Sequence, residues 1–147
     1  MIYRVVRTVL KQKKDPGLYE YLDHHMHLSN NLYNATLFRI RQNFTSRKKE
    51  HLTENELEVQ HEIEETLELC PHLKRPKSVL SYKFLERMMR VMDNPDFFAG
   101  LPSQTAEECQ KAAVHDFRSW LASLRKYKKH PEKYLGKPRM PHKKKQD

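Results

Sequence analysis

The spacing of apolar positions changes several times along the chain, and each change marks an element. Residues 2–10 (IYRVVRTVL) are rich in β-branched side chains and carry no helix-start signal, which predicts one β-strand. A lone strand leaves its backbone donors and acceptors unpaired, and the sequence offers no convincing second strand to pair with it. Asp15-Pro16 then opens a helix, with an acceptor at the cap and a proline at the first helical position. Behind it Leu18, Leu22, Met26, Ser29, Tyr33, Leu37, Ile40 and Phe44 recur every three or four residues, predicting one long helix to about Arg47.

Thr53-Glu54-Asn55-Glu56 has the spacing of a capping box and starts a weakly amphipathic acidic helix with Leu57, Ile63 and Leu67, ending near Cys70-Pro71. Ser78 to Met92 reads as a short helix whose apolar positions are Leu80, Phe84, Leu85, Met88 and Val91. Asp93-Asn94-Pro95 and Gly100-Leu101-Pro102 mark the loop after it. Ser103 is the expected cap of the clearest helix, with Ala106, Cys109, Ala113, Phe117, Trp120, Leu121 and Leu124 as its stripe. From His130 onward Pro131, Pro138 and Pro141 disfavour helix, so an extended basic arm with little to pack is expected. The predicted class is mostly α: a helical bundle with one N-terminal β-strand and an extended basic C-terminal tail. Its divisions are a strand over 1–12, a helical domain over 13–129 with an acidic segment at about 50–72, and a tail over 130–147.

Charge sharpens this outline. The 147 residues carry 28 Lys+Arg against 19 Asp+Glu, and the excess is segregated. Residues 50–72 hold 8 glutamates and no Lys or Arg, whereas the last 31 residues carry a charge of +9. The glutamate block reads first as a solvated helix face. A basic block of this kind seeks a polyanion, and a solubilising tail is the competing reading. Apolar residues at 37% and charged residues at 32% are lean for a core but allow one small domain. No apolar run approaches the ~20 residues of a membrane span, and Met1 is followed by Arg4 and Arg7 rather than a signal-peptide core. A cytoplasmic protein without a membrane partner is expected.

The chemistry of an active centre is not evident. With 3 glycines a phosphate-cradling loop is disfavoured, and Cys70 and Cys109 are too few for a disulfide framework or a four-cysteine zinc site. His24, His25 and His27 crowd one helix without the i, i+4 spacing of a metal pair, so no metal and no cofactor are expected. The nucleic-acid pattern is stronger. Tyr127 and Tyr134 interleave with Lys126, Lys128, Lys129, Lys133, Lys137 and Arg139, which combines stacking surfaces with phosphate-neutralising charge. Phe117 and Trp120 lie on the apolar stripe and read as core.

Two stretches carry more than composition. Asn31-Leu32-Tyr33-Asn34-Ala35 is followed by Arg39, Arg41 and Phe44; Gly100-Leu101-Pro102-Ser103-Gln104 leads through Phe117 and Lys126–Lys129 to Lys137-Pro138-Arg139-Met140-Pro141. With the N-terminal segment and its arginines, their order resembles the beginning of the TnpB (OrfB) family of transposon-encoded RNA-guided nucleases, relatives of the type V CRISPR effectors. The resemblance implies a wedge-type strand, then a helical recognition domain in which residues 50–72 are an insertion. It further implies a non-catalytic module that grips guide RNA and target DNA by the backbone and helps read a target-adjacent motif, with Ser103 and Gln104 as contacts to the flanking duplex. The family's RuvC nuclease acids have no positions here to land on, so no catalytic residue is expected, and a separately encoded RuvC half becomes a partner beside RNA or DNA. A transposon-associated DNA-binding regulator and a helical protein-interaction module are the competing functions.

Overall fold

The computed structural model describes residues 3–145, and within them the chain forms four α-helices. These are α1 (Pro16–Ser46), α2 (Glu54–Leu69), α3 (Tyr82–Val91) and α4 (Ser103–Lys129), followed by a single 3-10 turn over Pro131–Lys133. α1 packs on α2 and α4, and α3 packs on the same two, so the helices close a ring in chain order. No helix among the described residues is long and apolar enough to cross a membrane.

Local chemistry sets the helix ends. The capping box is complete: Thr53 Oγ1 accepts from the Glu56 backbone N–H at 3.3 Å, and Glu56 Oε1 accepts from the Thr53 N–H at 3.2 Å. Ser81 caps α3 by accepting from the Phe84 N–H, so this helix starts at Tyr82, four residues later than the pattern of Ser78 to Met92 suggests. α3 ends with Asp93 at a φ of 52°, where the Asn94 N–H returns to the Met89 carbonyl and the Asp93 N–H to that of Arg90. This is a Schellman ending with aspartate in the place glycine usually takes. Ser103 is the first helical residue of α4 rather than its cap; Pro102 precedes it, and no side chain caps the helix.

The core lies inside the ring. Leu37 and Ile40 of α1, Val59 and Ile63 of α2, Leu85 and Met88 of α3, and Phe117 of α4 meet there with Leu80 of the preceding linker. Full burial of such side chains contributes about 1.5–3 kcal/mol each. The acidic segment is therefore a wall of the bundle whose outer face, with Glu54, Glu58, Glu64, Glu65 and Glu68 exposed, is the expected solvated one. Its Glu62 accepts from Arg39 Nε at 2.8 Å and from Nη2 at 3.0 Å, a fork-on-fork pair with side chains 10% and 11% exposed. Arg39 Nη1 also donates to the Ala35 carbonyl.

A second polar layer straps the linker at residues 70–81 onto the bundle. Asn43 Nδ2 donates to the carbonyls of Lys77 and Ser78 at 3.0 and 3.1 Å, and Arg47 Nη2 donates to the Pro76 carbonyl. Arg75 forks onto the Glu64 carboxylate of α2. These contacts fix a segment that has no helix or strand of its own.

Two expectations change. Residues 3–10 form neither helix nor strand, and Tyr3, Val5, Val6 and Val9 are exposed; Ile2 lies outside the described residues. No backbone hydrogen bond joins this segment to another among the described residues, and β geometry is stable only when paired. The apolar stripe of α1 is also only half covered. Burial begins at Leu32, while Leu18 and Met26 stay 49% and 50% exposed because the other helices do not reach them.

Replacing Glu62 with Gln leaves the Arg39 guanidinium buried and unpaired, and should cost about 3 kcal/mol in urea unfolding. The double change Arg39→Met with Glu62→Leu should recover most of that loss; equal losses in both variants would show that the pair is not what holds α1 to α2. Glu56 supplies a pH test. The Lys49 ammonium at 2.8 Å, then Thr53 and Thr45, hold its carboxyl at about 2, below its ordinary 4.5, against the opposing effect of burial. A depressed folded pKa stabilises fully above about 4.5, and that contribution disappears as pH falls through about 2. Glu56→Gln should flatten the fall of Tm across this window, and an unchanged acid limb would exclude the assignment.

Candidate nucleic-acid interface

The last turn of α4 and the arm after it gather the cations. Lys126, Lys128 and Lys129 stand exposed on the final turn, where positive charge complements the helix dipole. Lys133 sits in the 3-10 turn, and Lys137 and Arg139 are exposed on the segment that follows. None of these six makes an ion pair among the described residues, while Glu132 beside them faces His130 at 3.3 Å. Tyr127 and Tyr134 pack on each other edge to face, with ring centroids 5.8 Å apart, and both are half-buried. Their pairing rigidifies the turn out of α4 and leaves part of each ring open for stacking.

The arm does not stand free. Trp120 Nε1 donates to the Pro138 carbonyl at 3.1 Å, and Met140 packs against the main core. Further on, Asn34 of α1 forms a reciprocal pair with the Lys144 backbone, donating to its carbonyl at 2.9 Å and accepting from its N–H at 2.7 Å. The Lys144 ammonium lies 4.3 Å from the centre of the Tyr33 ring. The arm thus turns after α4 and runs back to the middle of α1. Proline content predicts the lack of helix correctly, but it is silent about Trp120 and Asn34, whose polar atoms give the arm a docking site.

Tyr33 itself is a strut. Its hydroxyl donates to Asp116 Oδ2 at 2.6 Å, tying α1 to α4, and burial followed by the bond to Asp116 pushes its pKa up. Phe117 is fully buried, and Trp120 packs on it at 5.2 Å and on Phe44 at 5.8 Å, as their places on the stripe predict. Of the resemblance motif, Asn31, Asn34, Ala35 and Arg41 share an open cleft of about 390 Å³ with Lys143. Arg39 is withdrawn into its pair with Glu62.

Ser103 and Gln104 are exposed but lie at the opposite end of α4, about 40 Å from Lys129 at 1.5 Å per residue. The structure does not bring them together with the basic cluster. Lys74, Lys77, Lys83 and Arg118, none of them among the expected contact residues, gather around a cleft between the strapped linker and α4. Among the described residues no group of three or more His, Cys, Asp or Glu side chains is placed to hold a metal ion. No family model, curated protein or solved structure matches the chain, so the functional reading rests on its own residues.

Asn34→Ala removes both bonds to the Lys144 backbone, each worth about 1 kcal/mol. Trypsin should then cleave after Lys143–Lys145 several-fold faster, with helix content by circular dichroism unchanged. Cleavage at the wild-type rate would mean that the arm is held elsewhere.

Proposed function

We propose that the chain is a non-catalytic nucleic-acid-binding module that holds RNA or DNA by its phosphate backbone. The observation that carries this reading is the set of six exposed cations at the end of α4 and on the docked arm, none of which makes an ion pair among the described residues. Elsewhere the carboxylates engage their own cations, as in the pairs Arg39–Glu62, Lys49–Glu56, Arg75–Glu64, Arg90–Glu86 and Lys111–Glu107. At the end of α4 and on the arm the cations outnumber the one neighbouring acid, Glu132, so the positive field there is strong, the arrangement that draws and holds a polyanion. The resemblance to the TnpB family supports a recognition role within an RNA-guided system, with Ser103 and Gln104 reaching a separate duplex site beside the target.

A second reading has its own observation. Leu18, Tyr21, Leu22 and Met26 form an uncovered apolar face on the first half of α1, and Tyr3, Val5, Val6 and Val9 earlier in the chain are exposed as well. Such a face suits a protein partner, and a separately encoded nuclease half is the one the resemblance implies.

Binding should be salt-dependent. If Lys126, Lys128, Lys129, Lys133, Lys137 and Arg139 each neutralise one phosphate, log affinity against log salt should fall with a slope of about −5 on duplex DNA and about −4 on single strands. Lys128→Ala with Lys129→Ala should weaken every sequence alike and make the slope shallower by about 1 to 2. The nucleic acid should be recovered intact with magnesium or manganese present. A wild-type slope in the double variant, or cleavage abolished by mutating one of the chain's own acids, would overturn the reading.

A further inference from the structure

A cleft on the α3–α4 side lies apart from the cations at the end of α4 and on the arm. Its walls are the linker at 72–79 and the α3 start on one side, and α4 on the other. Lys74, Lys77, Lys83 and Arg118 line a volume of about 440 Å³, and Lys83 and Arg118 also line an adjoining one of about 600 Å³ that extends to Lys111 and Ala122. Lys74, Lys77, Lys83 and Arg118 make no ion pair among the described residues, although Glu64, Glu86 and Glu107 lie in the same region. Those three acids are already held by Arg75, Arg90 and Lys111. Four cations therefore face a concave space without counter-charge.

The backbone that presents them is rigid. Arg75 is forked to Glu64, the Pro76 carbonyl is held by Arg47, and the Lys77 and Ser78 carbonyls are held by Asn43. A segment pinned at three successive points loses little further freedom when a ligand arrives. Tyr82, half-buried in the same wall with the Lys111 ammonium 5.2 Å from its ring centre, adds an aromatic surface.

The cleft also continues. Lys111, His115, Arg118, Ala122, Arg125 and Lys129 follow at intervals of three or four residues and so share one face of α4. This face is about 27 Å long and ends in the basic cluster of the last turn.

We propose that this cleft is the entry of a single-strand track: Lys74, Lys77, Lys83 and Arg118 hold consecutive phosphates, and the strand then follows α4 past Arg125 to Lys129. The proposal rests on the nucleic-acid reading above and assigns that reading its strand state and its path. A basic groove with an aromatic wall fits a single strand, whose bases turn away from the charged side to stack. A duplex, whose major groove alone is about 12 Å wide, reaches only the rims of clefts of this size.

The test uses the full chain and a labelled twenty-nucleotide single strand, with the duplex of the same sequence alongside. Lys83 and Arg118 are exposed, so Lys83→Ala with Arg118→Ala should leave circular dichroism and Tm unchanged. It should make the single-strand salt slope shallower by about 1.4 and weaken binding roughly 25-fold at 0.1 M salt, while duplex affinity stays within about twofold. Single-strand affinity equal to wild type, with the Lys128/Lys129 variant still weakened, would overturn the track and leave the nucleic-acid reading standing. Equal losses on strand and duplex would overturn the single-strand assignment. Displacement of the strand by polyglutamate of matched charge would replace the nucleic acid with an acidic protein as the occupant. A wild-type chain that binds neither strand nor duplex would remove both readings together.

Discussion

Trp120 joins the core to the basic arm through the two ends of one side chain. Its ring closes an aromatic cluster with Phe117 and Phe44, which locks α4 against α1. Its indole N–H reaches the Pro138 carbonyl and so fixes where the arm returns. Without that bond the exit from α4 is still set by the Tyr127–Tyr134 pair and the 3-10 turn, and Met140 and Lys144 stay anchored, but the return at Pro138 loses its side-chain hydrogen bond to the helix. The position of Lys137 and Arg139, which flank Pro138, therefore depends on how Trp120 packs.

The rest of the molecule separates its charges. Inside and along α2, carboxylates are used to hold elements together: Glu62 receives Arg39, Glu56 closes the turn between α1 and α2, and Glu64 holds the linker through Arg75. Cations without an ion pair among the described residues include those on the outer face of α4, the linker and the arm, together with Arg4, Arg7, Lys11, Lys13 and Lys14 before α1. A net charge of +9 spread evenly would repel itself everywhere; placed this way it forms a directed surface beside a neutralised interior. The stability of α2 and the electrostatics of the candidate interface are thus two outcomes of one allocation of glutamates.

Much of the fold is legible in the sequence because helix signals are local. Asp15-Pro16, the Thr53–Glu56 box and the end of α4 at Lys129 are found within a residue or two of where they are read. What escapes is set by non-local geometry. The stripe from Leu18 to Phe44 is uninterrupted, yet only its second half meets other helices. The glutamate run does present a solvated face, with Glu54, Glu58, Glu64, Glu65 and Glu68 exposed, but the sequence does not show that Val59 and Ile63 fall inward and bring Glu62 with them. The candidate site divides in the same way. The cluster at Lys126–Lys129 is visible as a charge block, whereas Lys83 and Arg118 lie 35 positions apart and meet only through the fold.

Amide hydrogen exchange on the full chain, with and without an unlabelled single strand, tests the central claim directly, because each candidate surface lies on a different segment. The account requires slower exchange over residues 74–83, 122–129 and 137–145, with the amides of α2 unchanged. Slowing confined to α2 or to the exposed half of α1 around Leu18–Met26, with the basic segments unaffected, would contradict it.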